Sequence, residues 1–349
     1  MTQEHIAGNA PLDGLPLAGV TLVEGLSDKA PAALSLAAGM AGRIAADLGA
    51  SVIRVTSKEA GGIDRASDRF LNRGKECFSV AQEEMDAFIR GLCDRADCMI
   101  VDSECAKAIT DQAGSLLVIL SMSKNAPLSG SEFTIEAQSG LLDIVGDPAR
   151  TPLRLGGHQT AYAAGLAAYL AMISGLAKQD AASALPPRQV DLLEVAIWLN
   201  WKTIAVASRT GEAPTRKGVN AEWSALPCKD GYFAAVYRSK DWETLKTVFD
   251  DPCMQDPRIQ TAEGRRENRA LVNKLLAERF APLTRAEIHR LSMENKLPLG
   301  PVWSPQELRN SAHLMERQFL TSFVSEDESV SFPTLPVKWT GRTFATSSV

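Results

Sequence analysis

The sequence predicts an α/β protein with two domains, the first built on a parallel sheet and the second a smaller α+β unit. Three observations lead there. The first 120 residues alternate short apolar runs with helical patterns, and strands separated by helices imply a parallel sheet with right-handed crossovers. The texture changes after a Gly/Pro/charge-rich connector, SRTGEAPTRKG (208–218), into amphipathic helices and alternating segments. The length of 349 residues itself suggests two domains.

Taken in order, GVTLVE (19–24) reads as a buried strand. A small-residue helix follows from Ala33 to Leu48, stopped by Gly49, and SVIRVT (51–56) is the next strand. EEMDAFIRGLCDR (83–95) puts Met85, Phe88, Ile89 and Leu92 on one helical face. CMIVD (98–102) and SLLVILSM (115–122) are again apolar and β-like. The stretch 131–142 reads as a helix opened by Ser131 as N-cap, and 159–177 as an Ala/Gly-rich core helix. RQVDLL (188–193) is a strand, followed by a helix over 194–208. Beyond the connector, 230–237 reads as a turn and strand. Helices follow over 241–249, 267–280 and 284–296, the last with a Thr284/Glu287 capping box. PLGPVW (298–303) is extended, and 323–341 alternates like a hairpin. The expected domains are 1–210 and 225–341, joined by a linker at 211–224 and followed by a tail at 342–349.

Composition narrows the function classes. Hydrophobic residues make up 45% and charged residues 23%, ordinary for a globular protein. With 37 Lys and Arg against 42 acids, the net charge of −5 leaves no basic footprint for nucleic acid. The six cysteines form no C-x-x-C pair and have only four histidines to join, so neither a metal site nor a disulfide framework is expected. A cytoplasmic location fits, because the N-terminus has no signal-peptide pattern. The apolar stretch Ala161–Leu176 is short of the ~20 residues of a membrane span. No nucleotide-binding glycine turn follows the first strand: AAGMAG (37–42) lies inside a helix, where Gly39 and Gly42 serve close packing.

Several runs resemble the class III CoA-transferases of the CaiB/BaiF type. They are PLAGVTLVEGL, RIAADLGASVIRV, FLNRGKE and RADCMIVD in the first half, then PLRLGGHQTAYAAGLAAYLAMISGL and PPRQVDLLEVAI. TGEAPTRKG, CKDGYFAAV and LPLGPVWSPQELRNSAHLMERQF complete the series in the same order. The resemblance implies a Rossmann-like CoA-binding domain, a small domain, and a dimer in which two chains interlock like rings. It also implies coenzyme A or acyl-CoA as substrate and no permanently bound cofactor. The chemistry implied is attack by a carboxylate on an acyl-CoA thioester, with a small carboxylic acid finally taking the CoA.

The alignment puts the attacking Asp of the family at Ala161, and a one-residue slip gives Thr160 or Tyr162, neither an acid. The acid–base His of the racemase branch falls on Ser131, with Glu132 next to it. Glu132 and His158 are therefore the candidate catalytic groups, each with an ordinary alternative as a helix-start residue. Glu136 stands one turn beyond Glu132. A different register would offer Asp143 or Asp147, the latter a turn residue by context. Lys58, Arg73 and Lys75 are candidates for the CoA phosphates. The family's Asn-Phe near the adenine is replaced by Asp102-Ser103. Two functions follow from the resemblance. One is a transferase subunit that lacks its own nucleophile and works with a homologous Asp-containing chain, the isolated chain being poorly active. The other is a non-catalytic acyl-CoA-binding homodimer, or an acyl-CoA enzyme with altered chemistry.

Overall fold

The computed structural model describes residues 14–58, 62–109, 114–124, 130–147, 149–178, 186–212, 216, 223–325 and 328–337. Residues up to Lys217, with those from Phe319 onward, form one compact unit, and Gly218–Gln318 form a second.

The first unit follows the alternation in the sequence. Its elements are β1 (Thr21–Leu26), α1 (Ala32–Asp47), β2 (Ser51–Ser57), α2 (Arg65–Asn72), β3 (Glu76–Val80), α3 (Gln82–Arg90), β4 (Cys98–Asp102), α4 (Ser103–Ile109) and β5 (Leu116–Ser121). Then come α5 (Glu132–Gln138), α6 (Gln159–Leu176), β6 (Arg188–Asp191), α7 (Leu192–Leu199) and α8 (Trp201–Thr210). The six strands form one sheet in the order β3-β2-β1-β4-β5-β6, every neighbouring pair parallel. The inner strands β1, β2, β4 and β5 are near-continuous apolar runs because both of their faces are covered. Leu22 and Leu26 pack with α1 and α6 on one face, whereas Val23, Met99 and Val101 pack with Met85, Ile89 and Cys105 on the other.

Helices α1 and α6 lie against each other over small residues, including Ala37, Ala38, Ala41, Ala161, Ala164 and Ala168. Gly165 sets how close they come: a Cβ there would stand 2.6 Å from the Ala37 carbonyl oxygen. The expected helix over 194–208 is broken at Asn200, which is buried and donates its amide to the Ser139 carbonyl at 3.2 Å. The helix expected over 131–142 is shorter. Ser131 stands at its cap position without a side-chain cap bond.

The second unit contains β7 (Trp223–Cys228), β8 (Gly231–Val236), α9 (Ser239–Phe249), α10 (Ala262–Glu267), α11 (Arg269–Phe280), α12 (Arg285–Asn295), β9 (Leu299–Pro301), α13 (Pro305–Arg309) and α14 (Ala312–Glu316). Its antiparallel sheet runs β7-β8-β9. Phe233, Tyr237, Trp242, Leu245 and Phe280 form its core. The capping box is present, with Thr284 N donating to Glu287 at 2.8 Å and Glu287 N donating to the Thr284 hydroxyl at 3.3 Å.

The remaining strands, β10 (Leu320–Ser325) and β11 (Glu328–Pro333), pair antiparallel as the alternation over 323–341 suggested. The sequence reading carried the small domain through this hairpin to residue 341. In the fold the hairpin groups with the first unit, because Phe332 is buried and its ring lies 5.8 Å from that of Phe70. Part of the expected linker and the tail at 342–349 lie outside the described residues. Among the described residues no helix is long and apolar enough to cross a membrane. All six cysteines are free thiols, and no described cluster of three or more His, Cys, Asp or Glu could hold a metal ion.

Candidate functional site at the start of α6

The loop PLRLGGH enters α6 through two glycines, and His158 occupies the helix N-cap position. Its side chain makes no cap bond. One of the orphan amides of this helix end is met from another element. Glu132, the first residue of α5, accepts the Ala161 N–H on Oε1 at 2.9 Å. Its Oε2 receives Arg154 Nη2 at 2.6 Å and His158 Nδ1 at 2.7 Å. A carboxylate at a helix N-terminus is favoured by the macrodipole, and here it binds a guanidinium and an imidazole as well.

One turn along α5, Glu136 lines up behind it. Thr160 Oγ1 donates to Glu136 Oε1 at 3.3 Å, and Arg154 Nε stands 3.4 Å from Oε2. Arg154 thus bridges the two carboxylates with different nitrogens. Burial pushes the Glu136 carboxyl up from its ordinary value; Arg154 opposes that shift and Glu132 adds to it. The spacing of four residues between the acids would also suit an exposed helix face, but both are buried.

An ionised carboxylate accepts and cannot donate. Arg154 Nη2 also stands 3.4 Å from His158 Nδ1, but the Glu132 carboxylate at 2.7 Å is the closer partner; with the Nδ1 hydrogen directed at that carboxylate, the lone pair of the neutral ring is on Nε2. The His158 side chain is 36% exposed. Its ring meets Tyr162 edge-on at 6.2 Å.

Ala161 is fully buried and sits in the α1–α6 core. Glu132, His158 and Ala161, which the sequence singled out separately, are thus one hydrogen-bonded group. Arg154, which joins them, was not foreseen; its only trace is a cation in the loop before the paired glycines. Asp143 and Asp147 are exposed and outside the group, and Asp147 closes its own turn by accepting Ala149 N at 2.8 Å.

The expected phosphate-binding cations separate. Lys58 is exposed just after β2. Arg73 is buried, and burial followed by the nearby Arg43 charge lowers its pKa from the ordinary guanidinium value. Lys75 does not reach the surface at all. Its Nζ donates to Glu24 Oε1 at 2.5 Å and to the Gly39 carbonyl at 2.9 Å. Arg54 also pairs with Glu24 and donates to Ser35 Oγ at 2.6 Å. Lys75 is therefore a counterion for a buried acid, which corrects its expected role. The signal was there: Glu24 and Arg54 are single charges in apolar strands, and they are direct partners in the β1–β2 register. Burial, partly opposed by Glu24, brings the Lys75 pKa from 10.5 down to about 8. Asp102 is likewise structural, accepting Ser27 Oγ at 2.5 Å and the Cys105 N–H of α4 at 2.9 Å.

Comparison with known proteins adds an independent finding. The model of CoA-transferase family III matches residues 121–348. The succinyl-CoA–L-malate CoA-transferase alpha subunit of Chloroflexus aurantiacus is 25% identical over 198 residues, covering 54% of this chain and 46% of that protein. The chain thus spans about half the length of the curated relatives it matches. A CaiB/BaiF family protein from Brucella suis has a similar fold, with a TM-score of 0.79 and 21% identity over 94% of this chain and 93% of that one. Rv3272 from M. tuberculosis, in its orthorhombic form, gives a TM-score of 0.76 and 19% identity over 95% and 94%.

Proposed function

The chain belongs to CoA-transferase family III, and on that premise we propose that it is one subunit of an acyl-CoA:carboxylate CoA-transferase whose attacking acid comes from a homologous partner chain. Membership implies CoA-thioester substrates. The observation that carries the finer reading is position 161. Where the family resemblance puts the attacking Asp, this chain has an alanine, and that alanine is fully buried. The nearest acids do not replace it as they stand. Both oxygens of Glu132 are engaged by Ala161, Arg154 and His158, and Glu136 is buried behind it, with Oε1 accepting from Thr160 and Oε2 ion-paired to Arg154 without a hydrogen bond. A nucleophile needs an unshared lone pair aimed at the thioester carbon.

Two further observations support a partner. The curated relative is named as an alpha subunit. Leu170 on α6, Trp198 on α7 and Trp201 on α8 are 66%, 72% and 62% exposed, and large apolar side chains standing in water mark an interaction face. On this reading the two chains interlock as the family resemblance implies, Lys58 and Arg73 are the candidate cations for the CoA phosphates, and the complex works in the cytoplasm. The test is co-expression with a homologous chain that retains the Asp. A 1:1 complex that moves CoA from an acyl-CoA to a free carboxylic acid is expected. Failure of every such pair to associate, with transfer by this chain alone, would overturn the reading.

A further inference from the structure

We propose that His158 is a general base, with Glu132 as its positioning residue, and that it gives this chain a thioester-hydrolysing activity of its own. The proposal rests on the reading above that acyl-CoA binds beside position 161. Four observations point to it. Glu132 is buried and fixed by Ala161 N and Arg154, so it cannot follow the ring and instead sets its orientation. The 2.7 Å bond to Nδ1 leaves the Nε2 lone pair as the available base. His158 is not needed as a cap, since its side chain caps nothing and Glu132 already satisfies the Ala161 amide. Finally, the imidazole is partly open to solvent. Water has a route to this base, and Ala161 offers no competing nucleophile.

The step balances without another reagent. The water oxygen bonds to the thioester carbonyl carbon while one of its protons passes to Nε2 of His158. The carbon–sulfur bond then breaks, its electron pair leaving with sulfur, and the proton on Nε2 passes to the CoA thiolate. The products are a carboxylic acid and free CoA, and the imidazole is regenerated.

The experiment uses the full chain with acetyl-CoA as probe, reading thiol release, with CoA binding measured by calorimetry. General-base catalysis contributes about 100-fold to 10,000-fold. His158→Ala is therefore expected to slow release by at least about 100-fold, keep CoA binding, and recover rate with added imidazole. His158→Gln provides a second variant of similar size. Glu132→Gln is expected to move the ring from the Nδ1–H to the Nε2–H tautomer in 15N-histidine spectra and to slow release in parallel. If CoA binds but release is absent or indifferent to His158, this inference falls and the transferase reading stands. If CoA does not bind, both fall.

Discussion

Substituting Gly42 by Ala tests how the first unit is held together. Gly42 lies on the buried side of α1, directly over the Glu24–Arg54–Lys75 group. A Cβ at this position would come 1.7 Å from Glu24 Oε1, 2.8 Å from its Cδ and 3.0 Å from Lys75 Nζ. The carboxylate must then move by more than an ångström, yet it is held from two sides by buried cations. In a helix interior, Gly→Ala alone gains about 1 kcal/mol. Breaking a buried ion pair costs about 3–5 kcal/mol, because a charge is left without its partner. The cost exceeds the gain, and Gly42→Ala is expected to destabilise the chain by roughly 2–4 kcal/mol. Urea denaturation reads this as a lower midpoint at unchanged slope. Gly62→Ala, where a Cβ meets nothing within 4 Å, serves as the control and is expected to stay within about 0.5 kcal/mol. A Gly42→Ala chain as stable as the parent would refute the tight approach of α1 to the buried acid.

Lys75 supplies a pH signature. A base whose folded pKa falls from 10.5 to about 8 binds its proton less tightly folded than unfolded, so its contribution to stability rises with pH between those two values. The difference is about 3 kcal/mol. Stability measured from pH 8 to 10.5 is expected to climb relative to Lys75→Met, and parallel curves would contradict it. Glu136 has the opposite sign: its carboxyl is raised by burial, so its ionised form is disfavoured in the fold and its contribution declines as pH rises above 4.5. Glu136→Gln should leave thermal stability at pH 7 unchanged or higher; a large loss would show that the charge is needed. Trp198→Glu and Trp201→Glu should leave the isolated chain's stability within about 0.5 kcal/mol while abolishing association with the partner chain in size-exclusion chromatography.

The sheet was legible in the sequence because parallel strands covered on both faces must be apolar along their length, and GVTLVE, SVIRVT, CMIVD and SLLVILSM say so directly. The break at Asn200 was not legible, since the apolar pattern runs through it. It depends on an amide reaching Ser139, which is distant in sequence. At the site, residue type and family position singled out Glu132 and His158, but Arg154 lies in a loop without periodicity, and only the folded path brings it to both carboxylates. Lys75 was misread for a related reason. Its run carries the expected charge, but the acid that claims it, Glu24, is 51 residues earlier and becomes a neighbour only in the folded unit.

The most direct measurement of the central claim is isotope exchange between an acyl-CoA and its labelled free acid, catalysed by the purified chain alone. The account predicts no incorporation of label into the thioester, because position 161 carries a methyl group and Glu132 is already bound on both oxygens. Incorporation by the isolated chain at rates matching a two-chain complex, lost in Glu132→Gln, would contradict it and make Glu132 the nucleophile.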